Sequence, residues 1–277
     1  MSLSERKRSY ERAVVSRLKN LGHGELELLG NLSFGSASSS HLSYPFYRLI
    51  LGNPYEKGKR NVLISAGAHG NEPAGVYAAL QFAERHAERY LDAFNFFVYP
   101  CLNPSGFEFD EIKNRDAINI NRDFKSSPRS AEAQFVAQSL EQSGAEYAFT
   151  VDMHEDNLNQ PVKGFTRRSN IRTFYLYETC ADGGRRLGEK IVNEIKKHTP
   201  VCRRRKIYTA SSKNGVIRYR SGKSRGNKGT LEGYLALKYT RLALTIETPT
   251  CWQIRKRVST HLRAFMAALD IAKERQW

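Results

Sequence analysis

Cysteine is scarce and scattered in this chain of 277 residues. The four cysteines, Cys101, Cys180, Cys202 and Cys251, lie far apart, and no C-x-x-C pair occurs. Thiolate metal sites and dense disulfide scaffolds both depend on cysteines at close, paired spacings. The sequence therefore argues against both kinds of site, and a reducing compartment such as the cytoplasm fits best.

Long apolar runs are absent as well. The first residues, MSLSERKRSYERAVV, include basic side chains but no apolar stretch after them. A bilayer-spanning helix needs about 20 consecutive apolar residues, and no such run occurs. We therefore expect a cytoplasmic protein with no membrane partner, and a secreted protein whose leader has been removed is the alternative.

Acidic residues are too few to balance the basic ones, since 28 Asp and Glu face 44 Lys and Arg, a formal net charge of +16. Fifteen Lys/Arg and two Glu between Arg185 and Lys228 give this segment a net charge of +13. The segment is either a solvated face or a source of long-range, salt-sensitive attraction for an anionic substrate. Nucleic acid also fits the charge, but we find no recognised binding motif and no pattern of stacking aromatics.

Hydrophobic patterning predicts strands that alternate with helices, and no internal repeat at a fixed period. The predicted strands are 41–53, 61–68, 93–103, 146–154, 171–179 and 242–248, and the predicted helices are 4–20, 73–91, 129–143, 183–198 and 253–274. We therefore expect an α/β fold: one domain over 1–277 with a mixed, mostly parallel, twisted sheet flanked by helices on both faces. The basic segment, about 185–228, resembles an insertion in this domain.

The most informative motif is ISAGAHGNEPAG, which places His69 and Glu72 just after a buried strand. An imidazole and a carboxylate suit zinc, and a catalytic zinc takes about three protein ligands and keeps one position open for water. Functional groups of such sheets collect at the carboxyl ends of the strands. His154 ends the strand 146–154 and is the predicted third ligand. Glu247, at the end of the last strand, could take the proton of an activated water.

Five motifs in order carry a family resemblance, namely H-x-x-E (69–72), N-P-S-G (103–106), N-I-N-R-D-F (119–124), D-M-H (152–154) and T-I-E-T-P (245–249). Together they resemble the zinc carboxypeptidases of the carboxypeptidase A type over residues 61–249. The resemblance implies that His69, Glu72 and His154 hold one zinc ion per chain. It also implies that Glu247 is the general base and acid.

The same resemblance implies a set of substrate-binding residues. Asn121 and Arg122 match the pair that binds the terminal carboxylate, a task that suits the planar fork of a guanidinium. Arg115 matches more loosely the arginine that polarises the scissile carbonyl. Tyr208 is the best local match to the family's mobile tyrosine, although it lies farther from Glu247 than the family spacing.

Two carboxylates follow the third ligand in the run H-E-D (154–156). Glu155 and Asp156 either orient His154 from outside the metal's own ligands or contribute to a second metal site. The sequence leaves both interpretations open.

The predicted activity is zinc-dependent hydrolysis of an amide bond next to a free carboxylate, in a small, anionic peptide of acidic or murein type. The interval of 82 residues from Glu72 to His154 also fits the related succinylglutamate desuccinylases and aspartoacylases, so an N-acyl amino acid deacylase is the alternative. Those deacylases carry a further β-rich domain after the catalytic Glu, whereas 30 residues follow Glu247 here. We therefore favour the peptidase. A basic binding protein without catalysis is a third interpretation.

Overall fold

Ten strands run through the part of the chain that the computed structural model describes, residues 5–35, 41–157, 170–181, 186–222 and 228–274. They are β1 (Glu25–Phe34), β2 (Leu42–Leu51), β3 (Arg60–Ala66), β4 (Phe94–Tyr99), β5 (Phe149–Asp156), β6 (Tyr175–Cys180), β7 (Lys206–Ile207), β8 (Ala210–Lys213), β9 (Val216–Arg220) and β10 (Leu242–Pro249). The helices are α1 (Ser16–Lys19), α2 (Pro73–Arg85), α3 (Pro104–Phe109), α4 (Ala131–Ser143), α5 (Gly188–Ile195), α6 (Leu231–Lys238) and α7 (Ile254–Glu274). None of the described helices is both long enough and apolar enough to span a membrane.

The strands form one mixed sheet in the order β1-β2-β4-β3-β5-β10-β6-β9-β8-β7. Its centre, β4-β3-β5-β10, is parallel, and so is the pair β6 and β9. The other five pairs are antiparallel, namely β1 with β2, β2 with β4, β10 with β6, β9 with β8 and β8 with β7. The predicted mixed sheet flanked by helices is confirmed. Contrary to the prediction, the sheet is not mostly parallel, because five antiparallel pairs, at the edges and between β10 and β6, stand against four parallel ones.

Helices cover both faces of this sheet. Along β10, successive side chains point to opposite faces. Thr248 on one face contacts His261 of α7, and Thr245 on the other contacts Glu232 of α6. Every residue of β4 and β5 is buried, as expected of strands that are covered on both faces.

The elements that the sequence analysis misses have weak signals. β1 is a partly exposed edge strand, β7 to β9 are short, and α3 begins within the turn-like sequence NPSG (103–106). The helix predicted at 4–20 is a π-helical turn (Glu11–Val15) followed by α1, and the apolar residues Tyr10, Val14, Val15 and Leu18 are buried. The helix predicted to reach residue 91 ends at Arg85 and continues as a 3-10 turn, Ala87–Tyr90. Residues 182–185, which include part of another predicted helix, lie outside the described residues.

A close approach of α2 to β5 sets the position of the candidate site. A Cβ atom on Gly75, in the first turn of α2, would lie 2.4 Å from the carbonyl oxygen of Met153. Only glycine lets the helix start this close to the strand. Glu72, just before α2, and His154, next to Met153, are brought together as a result.

We expect Gly75→Ala to lower the free energy of unfolding by about 1–3 kcal/mol, because the new methyl group must push α2 away from a backbone atom. Urea denaturation measures the change. Gly22→Ala is the matched control, because nothing lies within 4 Å of its added Cβ. Equal stability of the two variants would contradict this account of the close approach.

Candidate metal centre and adjoining pocket

The predicted metal ligands meet at the carboxyl ends of neighbouring central strands. His69 lies in the loop after β3, Glu72 is the residue just before α2, and His154 is on β5. Glu247 lies opposite His154 in the parallel register of β10 and β5. The structure therefore brings together all four residues that the sequence singles out for the chemistry.

The Glu72 carboxylate bridges the two imidazoles. Its Oε1 lies 2.7 Å from His69 Nδ1, and its Oε2 lies 2.7 Å from His154 Nδ1. The backbone N–H of Glu155 donates to the same Oε2 at 3.0 Å. One ligand atom from each of the three residues lies within 4.8 Å of the others. This is a compact group of two nitrogens and one oxygen.

Opposite charges in this group stabilise one another. Burial alone would raise the pKa of the Glu72 carboxyl, but the imidazoles of His69 and His154 hold that pKa well below its usual range. Burial likewise opposes the charged form of His154, yet Asp152 and Glu72 raise the pKa of its imidazole well above the usual value. The site therefore favours positive charge between these carboxylates.

A second carboxylate orients His154 from behind. Asp152 Oδ2 lies 2.9 Å from His154 Nε2, and Ser65 donates to the other oxygen of Asp152 at 2.8 Å. Histidine ligands of metals commonly donate their other ring N–H to a carboxylate, which fixes the tautomer and the ring plane. Because His154 Nε2 faces Asp152, Nδ1 is the ring nitrogen that faces the candidate metal centre.

These residues fit a zinc ion. Two imidazole nitrogens and one carboxylate oxygen are a ligand set of catalytic zinc sites, and the oriented histidine adds the expected outer partner. Among the described residues, His69, Glu72 and His154 are the one group of three such side chains close enough to share an ion.

The two carboxylates after His154 bind other groups. Glu155 accepts a hydrogen bond from the backbone of Ala74 at 2.6 Å and pairs with Arg257 of α7. Asp156 accepts from the hydroxyls of Tyr208, at 2.6 Å, and Tyr175, at 3.0 Å. In the structure Glu155 thus connects α2 with α7, and Asp156 binds the two tyrosine hydroxyls.

A cavity of 400 Å³ opens beside the metal centre. Residues from the metal centre, the loop 112–122, β6, the segment 207–219, α6 and β10 line it. They include Asn121, Arg122, Asp156, Tyr175, Tyr177, Tyr208, Tyr219, Glu232, Thr245 and Glu247. Burial raises the pKa of the Glu247 carboxyl well above its usual range, although the neighbouring His154 opposes the shift. Burial therefore favours the neutral form of this carboxyl over the charged form.

The described part of the basic segment forms one wall of this cavity, but its cations do not line it. The wall residues come from β7 to β9 and the turns between them, and they are aromatic, apolar or small. Arg218 instead pairs with Glu178 and Glu189.

Three predicted substrate-binding residues lie at the cavity. Asn121 is buried, its Nδ2 lies 3.2 Å from His154 Nε2, and its oxygen accepts from the backbone of Leu231 at 3.1 Å. Arg122 is exposed and donates to the carbonyl oxygen of Asn121 at 2.5 Å, and no carboxylate among the described residues pairs with it. Tyr208 has a positive φ of 52°, and its hydroxyl is bound to Asp156.

Arg115 is not brought to the cavity. Its guanidinium lies 3.4 Å from the carboxylate of Glu111 and 4.6 Å from the ring centre of Phe109. Its backbone N–H donates to Ser105 at 3.2 Å. These contacts hold the Arg115 side chain away from the residues that line the cavity.

Sequence reasoning misses several residues of the site. Asp152 had a signal, because it precedes His154 by two positions and therefore shares its face of β5. Glu232 had none, because it lies on α6, which the sequence analysis does not predict. Tyr177 and Tyr219 come from different strands, so only the fold brings their rings together, with centres 5.9 Å apart.

Residues 58–171 match the family model of the succinylglutamate desuccinylase/aspartoacylase catalytic domain. This range includes the three metal-centre residues and ends before Glu247. The match confirms, for this part of the chain, the resemblance to the carboxypeptidase-related families.

Solved structures show the same fold over nearly the whole chain. A protein from Shewanella baltica, named as a candidate metallopeptidase, has a TM-score of 0.73 at 20% identity, covering 95% of this chain and 91% of that one. A metallo-carboxypeptidase from Pseudomonas aeruginosa, in complex with (2-guanidinoethylmercapto)succinic acid, has a TM-score of 0.64 at 17% identity, covering 96% and 68%. A succinylglutamate desuccinylase/aspartoacylase from Rhodobacter sphaeroides has a TM-score of 0.57 at 15% identity, covering 91% and 66%.

We expect His154→Ala to weaken zinc binding by more than about 100-fold, because a ligand is lost, and Asp152→Asn to weaken it by about 10–100-fold, the usual effect of losing an outer partner. Titration of the metal-free protein with zinc and a competing chelator measures both affinities. His41→Ala, which changes an exposed histidine, should bind zinc like the wild type. Wild-type affinity in His154→Ala would show that zinc binds elsewhere.

Proposed function

We propose that this protein is a zinc-dependent, metallocarboxypeptidase-like hydrolase that cleaves an amide bond next to a free carboxylate in a small peptide. The observation that carries the proposal is the joint placement of the His69, Glu72 and His154 group, the Glu247 carboxyl and the Arg122 guanidinium around one cavity. Each has the chemistry that one part of the reaction requires. One zinc per chain follows from the single group of candidate ligands among the described residues.

Glu247 is the proposed general base and acid. When bound, zinc supplies Lewis-acid polarisation of a carbonyl oxygen and makes water more acidic. Glu247, beside His154, would take a proton from the attacking water and return it to the departing amine. Burial raises the pKa of this carboxyl, which favours its uptake of the water proton.

Arg122 is the proposed anchor of the substrate carboxylate. Its guanidinium is exposed at the cavity and uses one Nη to hold the Asn121 carbonyl, which leaves further N–H donors for a ligand. Asn121, fixed between Leu231 and His154, orients this part of the loop. A carboxylate held here would place the neighbouring amide bond towards the metal centre.

Tyr208 and Arg115 differ in how well their contacts support the roles that the resemblance implies. Tyr208 would have to release Asp156 to donate its hydroxyl to a substrate, a short movement because it already lines the cavity. Arg115 would have to leave both Glu111 and Phe109 to reach a scissile carbonyl. We therefore propose a substrate-binding role for Tyr208 and no role in the chemistry for Arg115.

N-acyl amino acid deacylation is the second candidate, favoured by the family match over residues 58–171. It would use the same metal residues and the same base, and Arg122 would hold the carboxylate of the amino acid. Release of acetate or succinate from acylated amino acids, without hydrolysis of C-terminal peptide bonds, would support it over the peptidase.

A cytoplasmic location is also part of the proposal. Cys101, Cys180 and Cys202 are buried free thiols, and Cys251 is free as well. A reducing compartment suits such a set.

We expect Glu247→Gln to retain zinc with unchanged affinity but to lose about 10²–10⁴-fold in kcat, because the amide cannot carry the proton. Metal content and steady-state hydrolysis of a panel of C-terminal dipeptides and acyl amino acids measure the two effects. Glu194→Gln, which changes an exposed carboxylate paired with Lys197, should behave like the wild type. Full activity in Glu247→Gln would refute the assigned mechanism.

We expect Arg122→Ala to lower kcat/KM by about 10–100-fold for peptides with a free terminal carboxylate, as the loss of a charged hydrogen bond implies. Peptides with an amidated terminus should be hydrolysed equally slowly by variant and wild type. Arg203→Ala, at an exposed residue outside the cavity, is the control. An equal loss on both kinds of substrate would argue against carboxylate anchoring.

A further inference from the structure

Helix α7 contacts the two central strands of the sheet directly behind the residues of the proposed chemistry. In the parallel register of β5 and β10, His154 lies opposite Glu247, and the next pair is Glu155 opposite Thr248. Successive side chains of a strand point to opposite faces, so Glu155 and Thr248 point to the face that α7 covers. Each of these two side chains binds a residue of α7.

Arg257, in the first turn of α7, binds Glu155. The Glu155 side chain is buried, and its Oε2 accepts a hydrogen bond from Nη1 of Arg257. Its Oε1 accepts from the backbone N–H of Ala74, in the first turn of α2, at 2.6 Å. The backbone N–H of Glu155 itself donates to the Glu72 carboxylate at 3.0 Å. The contact with Arg257 therefore fixes both the strand residue that binds Glu72 and the helical turn that follows Glu72.

His261, one turn farther along α7, binds Thr248. The His261 ring is fully buried, and its Nε2 lies 3.0 Å from the Thr248 hydroxyl. Burial lowers the pKa of this imidazole to about 3, so the ring is neutral at neutral pH and forms a hydrogen bond without adding charge. Because Thr248 directly follows Glu247, this contact fixes the strand next to the proposed base.

The two polar contacts are set into an otherwise apolar part of α7. Arg257 and His261 are four residues apart and therefore share one face of the helix. The residues packed beside them are buried and apolar, namely Val258, Leu262 and Phe265. A buried ion pair contributes little to stability compared with apolar side chains of similar volume. Stability alone therefore does not account for an arginine and a glutamate at this place, whereas a role in positioning does.

We propose that Arg257 and His261 are positioning residues that set the distance between the zinc ligands and the Glu247 carboxyl. This inference rests on the proposed function, in which Glu247 acts on a water at the zinc. Strand pairing fixes the register but leaves the twist between neighbouring strands variable. A misplacement of about 1 Å between reacting groups can cost about 100-fold in rate. Contacts from one helix to both strands restrict such a shift.

Zinc affinity tests the role of Arg257. Arg257→Met keeps a long side chain but removes the charge and the N–H donors, and it should weaken zinc binding by about tenfold, the lower end of the range for partners outside the metal's own ligands. Titration of the metal-free protein with zinc and a competing chelator measures the affinity. Arg263→Met, at an exposed residue of the same helix, should bind zinc like the wild type. Glu155→Gln removes the same ion pair without leaving a buried charge on β5, so it gives the same test if Arg257→Met fails to fold.

Two variants that differ by one hydroxyl test the role of His261. Thr248→Val keeps the shape of the side chain but cannot bind the imidazole, and it should lower kcat of the zinc-loaded enzyme about tenfold with KM little changed. Thr248→Ser keeps the hydroxyl and should retain most of the wild-type kcat. Val258→Ala is the packing control, because it removes buried apolar groups from α7 and should lower stability without lowering kcat. A loss of kcat in Val258→Ala as large as that in Thr248→Val would show that His261 only stabilises the fold.

The zinc titrations separate this inference from the proposed function. A wild type that binds zinc but hydrolyses none of the dipeptides and acyl amino acids would refute the proposed function. Weakened zinc binding in Arg257→Met would then still support its role in positioning the ligands, and wild-type affinity would overturn it. If the wild type is active, unchanged zinc affinity in Arg257→Met together with unchanged kcat in Thr248→Val would overturn the inference and leave the proposed function.

Discussion

The buried Glu72 carboxylate, bound between two imidazoles, is the constraint on which the rest of this site depends. Removing a carboxylate from water is costly unless opposite charge and hydrogen bonds compensate. His69, His154 and the backbone N–H of Glu155 supply that compensation within 3.0 Å. They can do so only because Gly75 lets α2 start directly against β5. The same approach brings the three metal-type ligands together, so the fold and the candidate metal centre share one requirement.

The cavity beside the metal centre has side chains of opposite charge at different positions. Exposed Arg122 offers N–H donors to a carboxylate, Glu247 lies beside His154, and the buried Glu232 of α6 accepts a hydrogen bond from Thr245 of β10. Two stacked tyrosines, Tyr177 and Tyr219, form part of the wall. The long-range field of a chain with net charge +16 and the local field of a buried carboxylate therefore have opposite signs. The first would affect how fast a charged substrate arrives.

Much of the fold and the metal centre could be predicted from sequence, for identifiable reasons. The central strands are continuous apolar runs, and His69, His154 and Glu247 follow or end such runs, so their convergence follows from the parallel arrangement. Gly144 ends α4 in the left-handed conformation, which favours glycine at this position. Glu232 and the tyrosine wall could not be predicted, because β7 to β9 and α6 are short and their side chains meet only through register. Arg115 matched a motif, yet its contact with Glu111 depends on a local turn that a motif does not specify.

The measurement that tests the central claim most directly is anomalous X-ray scattering at the zinc edge from crystals of the zinc-loaded protein. The account predicts one strong peak about 2.0–2.2 Å from His69 Nδ1, His154 Nδ1 and a Glu72 oxygen. Density at any other place, or no zinc at these residues at a saturating concentration, would contradict it.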